Sequence, residues 1–92
     1  MRVQILEPAV EDLEAIHAYI ARDSARAADA FVESVRAHVN RIAQTGFGEI
    51  GRPGRRRGTR ELVHGHYVIV YRVDQVEDAL LVIAIIHGAR RR

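Results

Sequence analysis

The stretch Thr59–Ile86, TRELVHGHYVIVYRVDQVEDALLVIAII, decides the fold. It holds three runs rich in β-branched and aromatic residues, Thr59–Val63, Tyr67–Val73 and Ala79–Ile86. The link His64-Gly65-His66 and the turn around Asp74–Asp78 are short enough for hairpins, so the runs read as a three-strand antiparallel meander. The last run is apolar at every position, which implies burial on both faces and a central or partner-covered place in the sheet.

Upstream the period changes from two to 3.6. Ala9, Leu13, Ile16 and Ile20 recur at helical spacing behind Pro8, a good first-turn residue, and Glu11 and Asp12 suit the positive end of a helix dipole. This predicts a helix over 8–21. Asp23 and Ser24 are the next N-cap candidates. Beyond them Ala28, Phe31, Val32, Val35, Val39 and Ile42 form a second apolar stripe that ends at Gly46, a natural C-cap. A connection of a few residues makes the helices an antiparallel hairpin packed on one sheet face. Val3–Leu6 reads as a first strand, and GFGEIGRPGRRRG, 46–58, as an aperiodic loop. The order β-α-α-β-β-β describes one α+β domain spanning 1–92, an N-terminal strand and helix hairpin followed by the meander that completes one sheet.

Composition removes several function classes. With 48% hydrophobic and 28% charged residues the chain is an ordinary globular domain and not a disordered one. It has no cysteine, so disulfide and thiolate–metal chemistry are excluded. No apolar run reaches membrane-spanning length, and the N-terminus lacks the pattern of a secretory signal, so a cytoplasmic protein without a membrane role is expected. No nucleotide-binding glycine motif, nucleophile elbow or HExxH is present, and no cofactor is expected. Residues 1–45 carry seven acids against five arginines, whereas residues 46–92 carry nine arginines against five acids.

Two constellations carry chemistry. Arg52, Arg55, Arg56, Arg57 and Arg60 crowd the approach to the second strand, and Arg90, Arg91 and Arg92 follow the last one. Were the last strand paired beside the strand starting at Thr59, both groups would share one edge as a basic patch for phosphate or for an acidic protein segment. The bland alternative is a solvated loop and a frayed tail. The second constellation is histidine: His64, His66 and His87 near turns of the sheet, His17 and His38 on the helices. Metal-free RNA cleavage needs a base, an acid and a cation, roles that histidine and arginine fill near neutral pH. Tyr67 and Tyr71 are suited to base stacking, though Tyr67, Ile69 and Tyr71 serve equally as core and sheet-face residues, and Phe31 and Val35 as helix–sheet packing. Glu61 can simply pair with a nearby arginine. His64-Gly65-His66 lacks a third ligand at zinc-like spacing, so no metal is assigned.

Several segments together resemble the RelE/ParE superfamily of bacterial toxins. They are Ala9…Asp12-Leu13…Ile16…Tyr19-Ile20, Gly51-Arg52-Pro53-Gly54…Gly58-Thr59-Arg60-Glu61-Leu62, the strand Tyr67–Val73, and Val82…Ile85…His87-Gly88-Ala89-Arg90. The resemblance covers nearly the whole chain in order. It implies the toxin of a type II toxin–antitoxin pair, silenced in a hetero-oligomer by a cognate antitoxin. It also implies one of two targets, DNA gyrase for ParE-like members or ribosome-bound mRNA for RelE-like ones. The sequence departs from the best-known RelE-like sites in having no lysine and no tyrosine after the last strand. A histidine-based nuclease would instead draw on Arg60, His64, His66, His87 and Arg90. A target-binding surface would draw on Arg52, Arg55, Arg56, Arg57, Tyr67, Arg72 and Arg91. The helix hairpin and the Tyr-x-Ile-x-Tyr-Arg strand resemble the ParE-like branch. A non-toxic nucleic-acid-binding module and an interaction protein are the rival classes.

Overall fold

The computed structural model describes residues 1–46 and 51–90. Strand β1 (Arg2–Ile5) leads through Leu6 into helix α1 (Glu7–Ala21), with Pro8 in its first turn. Residues 22–24 then fold helix α2 (Ala25–Thr45) back on α1. Ser24 caps α2 by accepting the Ala27 N–H on its hydroxyl at 3.1 Å, and Gly46 closes it in the left-handed conformation. Strands β2 (Arg52–Pro53), β3 (Arg60–His64), β4 (Tyr67–Asp74) and β5 (Ala79–His87) follow, and a 3₁₀ turn covers Gly88–Arg90. The expected α+β order holds.

The five strands form one sheet in the order β1-β5-β4-β3-β2. The meander is antiparallel, whereas β1 lies parallel to β5, and Leu6 N–H extends that ladder to the Val82 carbonyl at 2.9 Å. Both helices cover one face. Ala9 and Leu13 of α1 and Val35, Val39, Ile42 and Ala43 of α2 pack against Ile69, Tyr71, Leu80, Val82 and Ile85.

Three sequence expectations change. The 46–58 segment is not wholly loop, because Arg52 and Pro53 pair with Glu61 and Arg60 as an edge strand. Proline tolerates that edge position because no further strand needs its missing N–H. Next, β5 pairs with β1 and β4 and not with β3, so the condition for a shared arginine edge is not met. Last, β5 is fully buried only over Ala79–Val82 and at Ile85, while Ile83, Ala84 and Ile86 are half-buried. A bulge explains the pattern. Val70 pairs with Ala84 but Tyr71 pairs with Val82, leaving Ile83 as the extra residue. Beyond it the inward set switches from Leu80 and Val82 to Ile85, so a run that looks uniformly apolar is two alternating patterns in opposite phase.

A buried knot joins β2, β3 and β4. Tyr71, 1% exposed, accepts the Gly51 N–H on its phenol oxygen at 2.9 Å. A Cβ at Gly51 would lie 2.6 Å from that oxygen and 2.8 Å from the Glu61 carbonyl, so the approach needs glycine. Arg60 Nη1 donates to the Gly51 carbonyl at 3.2 Å, and Arg52 Nε lies 3.7 Å from Glu61 Oε1. Glu61 is therefore no member of an exposed ion pair, for it is itself only 4% exposed. Tyr71→Phe should leave the buried Gly51 N–H without its acceptor and cost about 1–3 kcal/mol. Urea denaturation checks this, and an unchanged midpoint would mean the bond contributes nothing.

Candidate functional site

The register of β3 and β4 fixes where the candidate residues stand. Arg60 pairs with Tyr71, and His64 pairs with Tyr67, which in turn pairs with His87. Four strand positions thus separate Arg60 from the histidines, roughly 13 Å along the sheet. The molecule has a histidine end and an arginine end.

At the histidine end α2 contributes Ser34, which the sequence reading left out, beside Phe31 and His38, which it read as a packing residue and a helix histidine. Phe31, Ser34 and His38 share one helix face by their spacing. Ser34 Oγ donates to the Phe31 carbonyl at 2.7 Å and lies 2.9 Å from His64 Nε2; His64 Nδ1 lies 2.8 Å from His38 Nδ1. With its one hydrogen committed to Phe31, the serine must accept from His64 Nε2–H. His64 Nδ1 then accepts from His38 Nδ1–H. His64 is neutral in this chain of bonds, since its Nδ1 accepts. The pKa values of both rings are lowered from 6.5, first by burial, with Arg41 repelling both protonated rings and His64 adding to the effect on His38.

The other residues of this end surround an open groove of about 560 Å³ lined by Asp12, Ile16, Tyr19, Tyr67, Ile85 and His87. Asp12 of α1 reaches β5 and accepts the Ile85 N–H at 2.9 Å, where β1 has ended and no longer pairs with that strand. Its carboxylate therefore serves the sheet and is not merely one of the polar positions of α1. Tyr67 is half-buried, its ring edge-on to His87 at 5.3 Å and tilted against Phe31 at 5.1 Å. His66 and His87 are exposed and lie nearly parallel at 6.4 Å, and His87 Nδ1 accepts the Ala89 N–H at 3.2 Å. Arg90 follows in the 3₁₀ turn, but its side chain, like Arg91 and Arg92, lies outside the described residues. Among the described residues no cluster of three or more His, Asp or Glu side chains is placed to hold a metal, and no helix is long and apolar enough to cross a membrane.

At the arginine end the five arginines divide into two sorts. Arg52 and Arg60 are engaged by Glu61 and the Gly51 carbonyl and anchor the edge strand. Arg55, Arg56 and Arg57 are exposed in the turn between β2 and β3. Arg72 is exposed on β4, opposite Leu81. The structure brings together His64, His66, Tyr67 and His87, and separately Arg52, Arg55, Arg56, Arg57 and Arg60. It does not bring Arg60 to the histidines. Ser34 is the residue missed, and His38 and Asp12 were named without being assigned to the site; the i, i+4 spacing of Ser34 and His38 was the available signal.

The histidine pair makes stability depend on pH. Above 6.5, the ordinary histidine value, the pair is neutral in folded and unfolded chains alike and its contribution is fully present. As pH falls below 6.5 the unfolded chain takes up protons that the folded pair resists, so stability declines until the lowered folded values are passed. Urea midpoints between pH 7.5 and 5 should fall, and His38→Gln should make the fall shallower. An equally steep fall in the variant would remove the pair as its cause.

The family described as ParE toxin of type II toxin-antitoxin system, parDE, matches residues 3–92. Among solved structures the chain is similar to one described as the chromosomal ParDE toxin–antitoxin system from P. aeruginosa, with a TM-score of 0.80, 22% identity and 95% of each chain covered. It is also similar to one in the RelBE2 toxin–antitoxin complex from Mycobacterium tuberculosis, with a TM-score of 0.61, 24% identity, and 94% of this chain and 95% of that one covered. No curated protein sequence matches significantly. At these identities the structural likenesses establish the fold, and the family match over nearly the whole length establishes the rest: the chain belongs to the ParE toxins of type II toxin–antitoxin systems.

Proposed function

We propose that this toxin arrests growth in the cytoplasm by poisoning DNA gyrase, that it does so as a binding protein without cutting nucleic acid itself, and that a cognate antitoxin silences it in a hetero-oligomer. One observation carries the choice of target. Arg60 stands four strand positions from His64 and His87, and Arg60 donates to the Gly51 carbonyl. Cleavage of a phosphodiester without metal needs base, acid and cation around a single phosphate, within hydrogen-bond reach of the atoms that gain and lose protons. His64 is further committed on both ring nitrogens, to His38 and to Ser34. The antitoxin reading is supported by the family match and by apolar surface around exposed Tyr19 and the groove beside it.

A second reading has one observation in its favour. His66 and His87 are exposed, parallel and 6.4 Å apart beside Tyr67, an arrangement open to a ribonucleotide. On that reading the toxin is a ribosome-dependent mRNA endonuclease, and Arg90 is the cation of its site.

Inducing the toxin alone in bacterial cells separates the two. Gyrase poisoning should leave translation running in the first minutes while DNA breaks and filamentation accumulate. His66→Asn with His87→Asn should remain toxic and still bind antitoxin. Prompt translational arrest with cleaved transcripts, lost in that double variant, would contradict the proposal and establish the nuclease.

A further inference from the structure

The turn between β2 and β3 is built, and not merely a solvated excursion. Gly54 N–H donates to the Thr59 carbonyl at 2.8 Å, and Thr59 returns two bonds to the Arg56 carbonyl, from its N–H at 3.1 Å and its hydroxyl at 2.6 Å. Gly58 takes a φ of +81°, a conformation that side-chain-bearing residues rarely adopt. Below the turn the knot around Gly51, Tyr71 and Glu61 holds its two ends, using Arg52 and Arg60. Three consecutive guanidinium groups, Arg55, Arg56 and Arg57, are thereby presented from a backbone fixed by its own hydrogen bonds. They are exposed, and among the described residues none has an ion-pair partner. Residues 51–60 contain no acid. Beside the turn lies a concavity of about 350 Å³ lined by Arg56, Arg57, Thr59, Arg60, Val73 and Gln75, large enough for a phosphate and part of its sugar.

We infer that this arginine turn is a docking site for the phosphodiester backbone of nucleic acid. Guanidinium forks match the paired oxygens of a phosphate, and adjacent exposed cations favour a partner of high linear charge density. Nucleic acid has that density, with one charge per about 1.7 Å of a DNA duplex, whereas an acidic protein segment seldom does. The site makes no base-edge readout, so binding is independent of sequence and steep in salt. It goes beyond the choice of target, because nucleic acid is present at gyrase and at the ribosome alike.

The test uses the purified full chain with no gyrase and no ribosome, so its failure leaves the toxin reading standing. Anisotropy of a fluorescent 20-base-pair DNA duplex and of a 20-nucleotide single-stranded RNA is followed from about 50 to 200 mM salt. Saturable, salt-sensitive binding of either supports the site, and the tighter ligand identifies the source of the phosphates. Arg55→Gln/Arg56→Gln/Arg57→Gln should lose at least tenfold in affinity at 50 mM salt and flatten the log–log salt slope by about one unit per arginine. Thr59→Val keeps every charge but removes the hydroxyl that holds the Arg56 carbonyl, and should weaken binding several-fold at an unchanged slope. Circular dichroism of each variant checks that the fold persists. Binding that the triple variant retains, or that Thr59→Val leaves as tight as before, overturns the proposal. So does polyglutamate competing as well as unlabelled duplex at equal charge concentration.

Discussion

Strand β4 pairs with β5 from Tyr67 to Asp74 and with β3 from Tyr67 to Tyr71, and almost everything else in the molecule depends on that register. The Tyr67 end of β4 collects His64 from β3 and His87 from β5; the Tyr71 end collects Arg60 and, through Gly51, the edge strand β2. A one-residue slip would turn Ile69 and Tyr71 out of the core and expose them. Burial of these two side chains, at 0% and 1% exposure, therefore fixes the separation between the histidine and arginine ends. The bulge at Ile83 then lets β5 follow β4 over both halves while keeping Leu80, Val82 and Ile85 against the helices.

The two ends show different uses of polar groups. At the histidine end α2 and β3 are joined by a bond chain in which each hydrogen has one acceptor, from His38 through His64 and Ser34 to the Phe31 carbonyl. Half-buried imidazoles in such a chain favour neutrality, which suits structure better than phosphate binding. At the arginine end the knot below the turn engages Glu61 and two guanidinium groups, leaving three others exposed and, among the described residues, without an ion-pair partner. The exposed His17–Asp29 hydrogen bond contributes little beside these, since solvent competes for both partners.

Much of the fold was legible because local and tertiary demands agree. The helix stripes, the Ser24 cap, Gly46 and the two hairpins are set by residues whose signals lie within a few positions of them. The parallel placement of β1 was not legible, since nothing in Val3–Leu6 says which strand it joins. Neither was β2: two residues are too few for a period, and they become a strand because Gly51 is pulled against Tyr71, twenty positions away. The bulge was hidden for a related reason. A wholly apolar run carries no alternation from which a phase change could be read. Of the candidate site, the arginine turn and the trio His64, His66 and His87 were visible as clusters. That Arg60 belongs to the opposite end, and that Ser34 and His38 belong with His64, follows from register and helix docking.

A protein that acts on gyrase by binding alone should convert the enzyme's own DNA cleavage into a stable lesion. The most direct measurement incubates purified toxin with purified gyrase, ATP and supercoiled plasmid, then traps cleaved DNA with detergent and protease. Linear plasmid that accumulates with toxin, requires gyrase and disappears when cognate antitoxin is added is the expected result. Plasmid that stays intact under those conditions, while the same preparation cleaves mRNA on ribosomes, would contradict the gyrase reading and move the chemistry to His66 and His87.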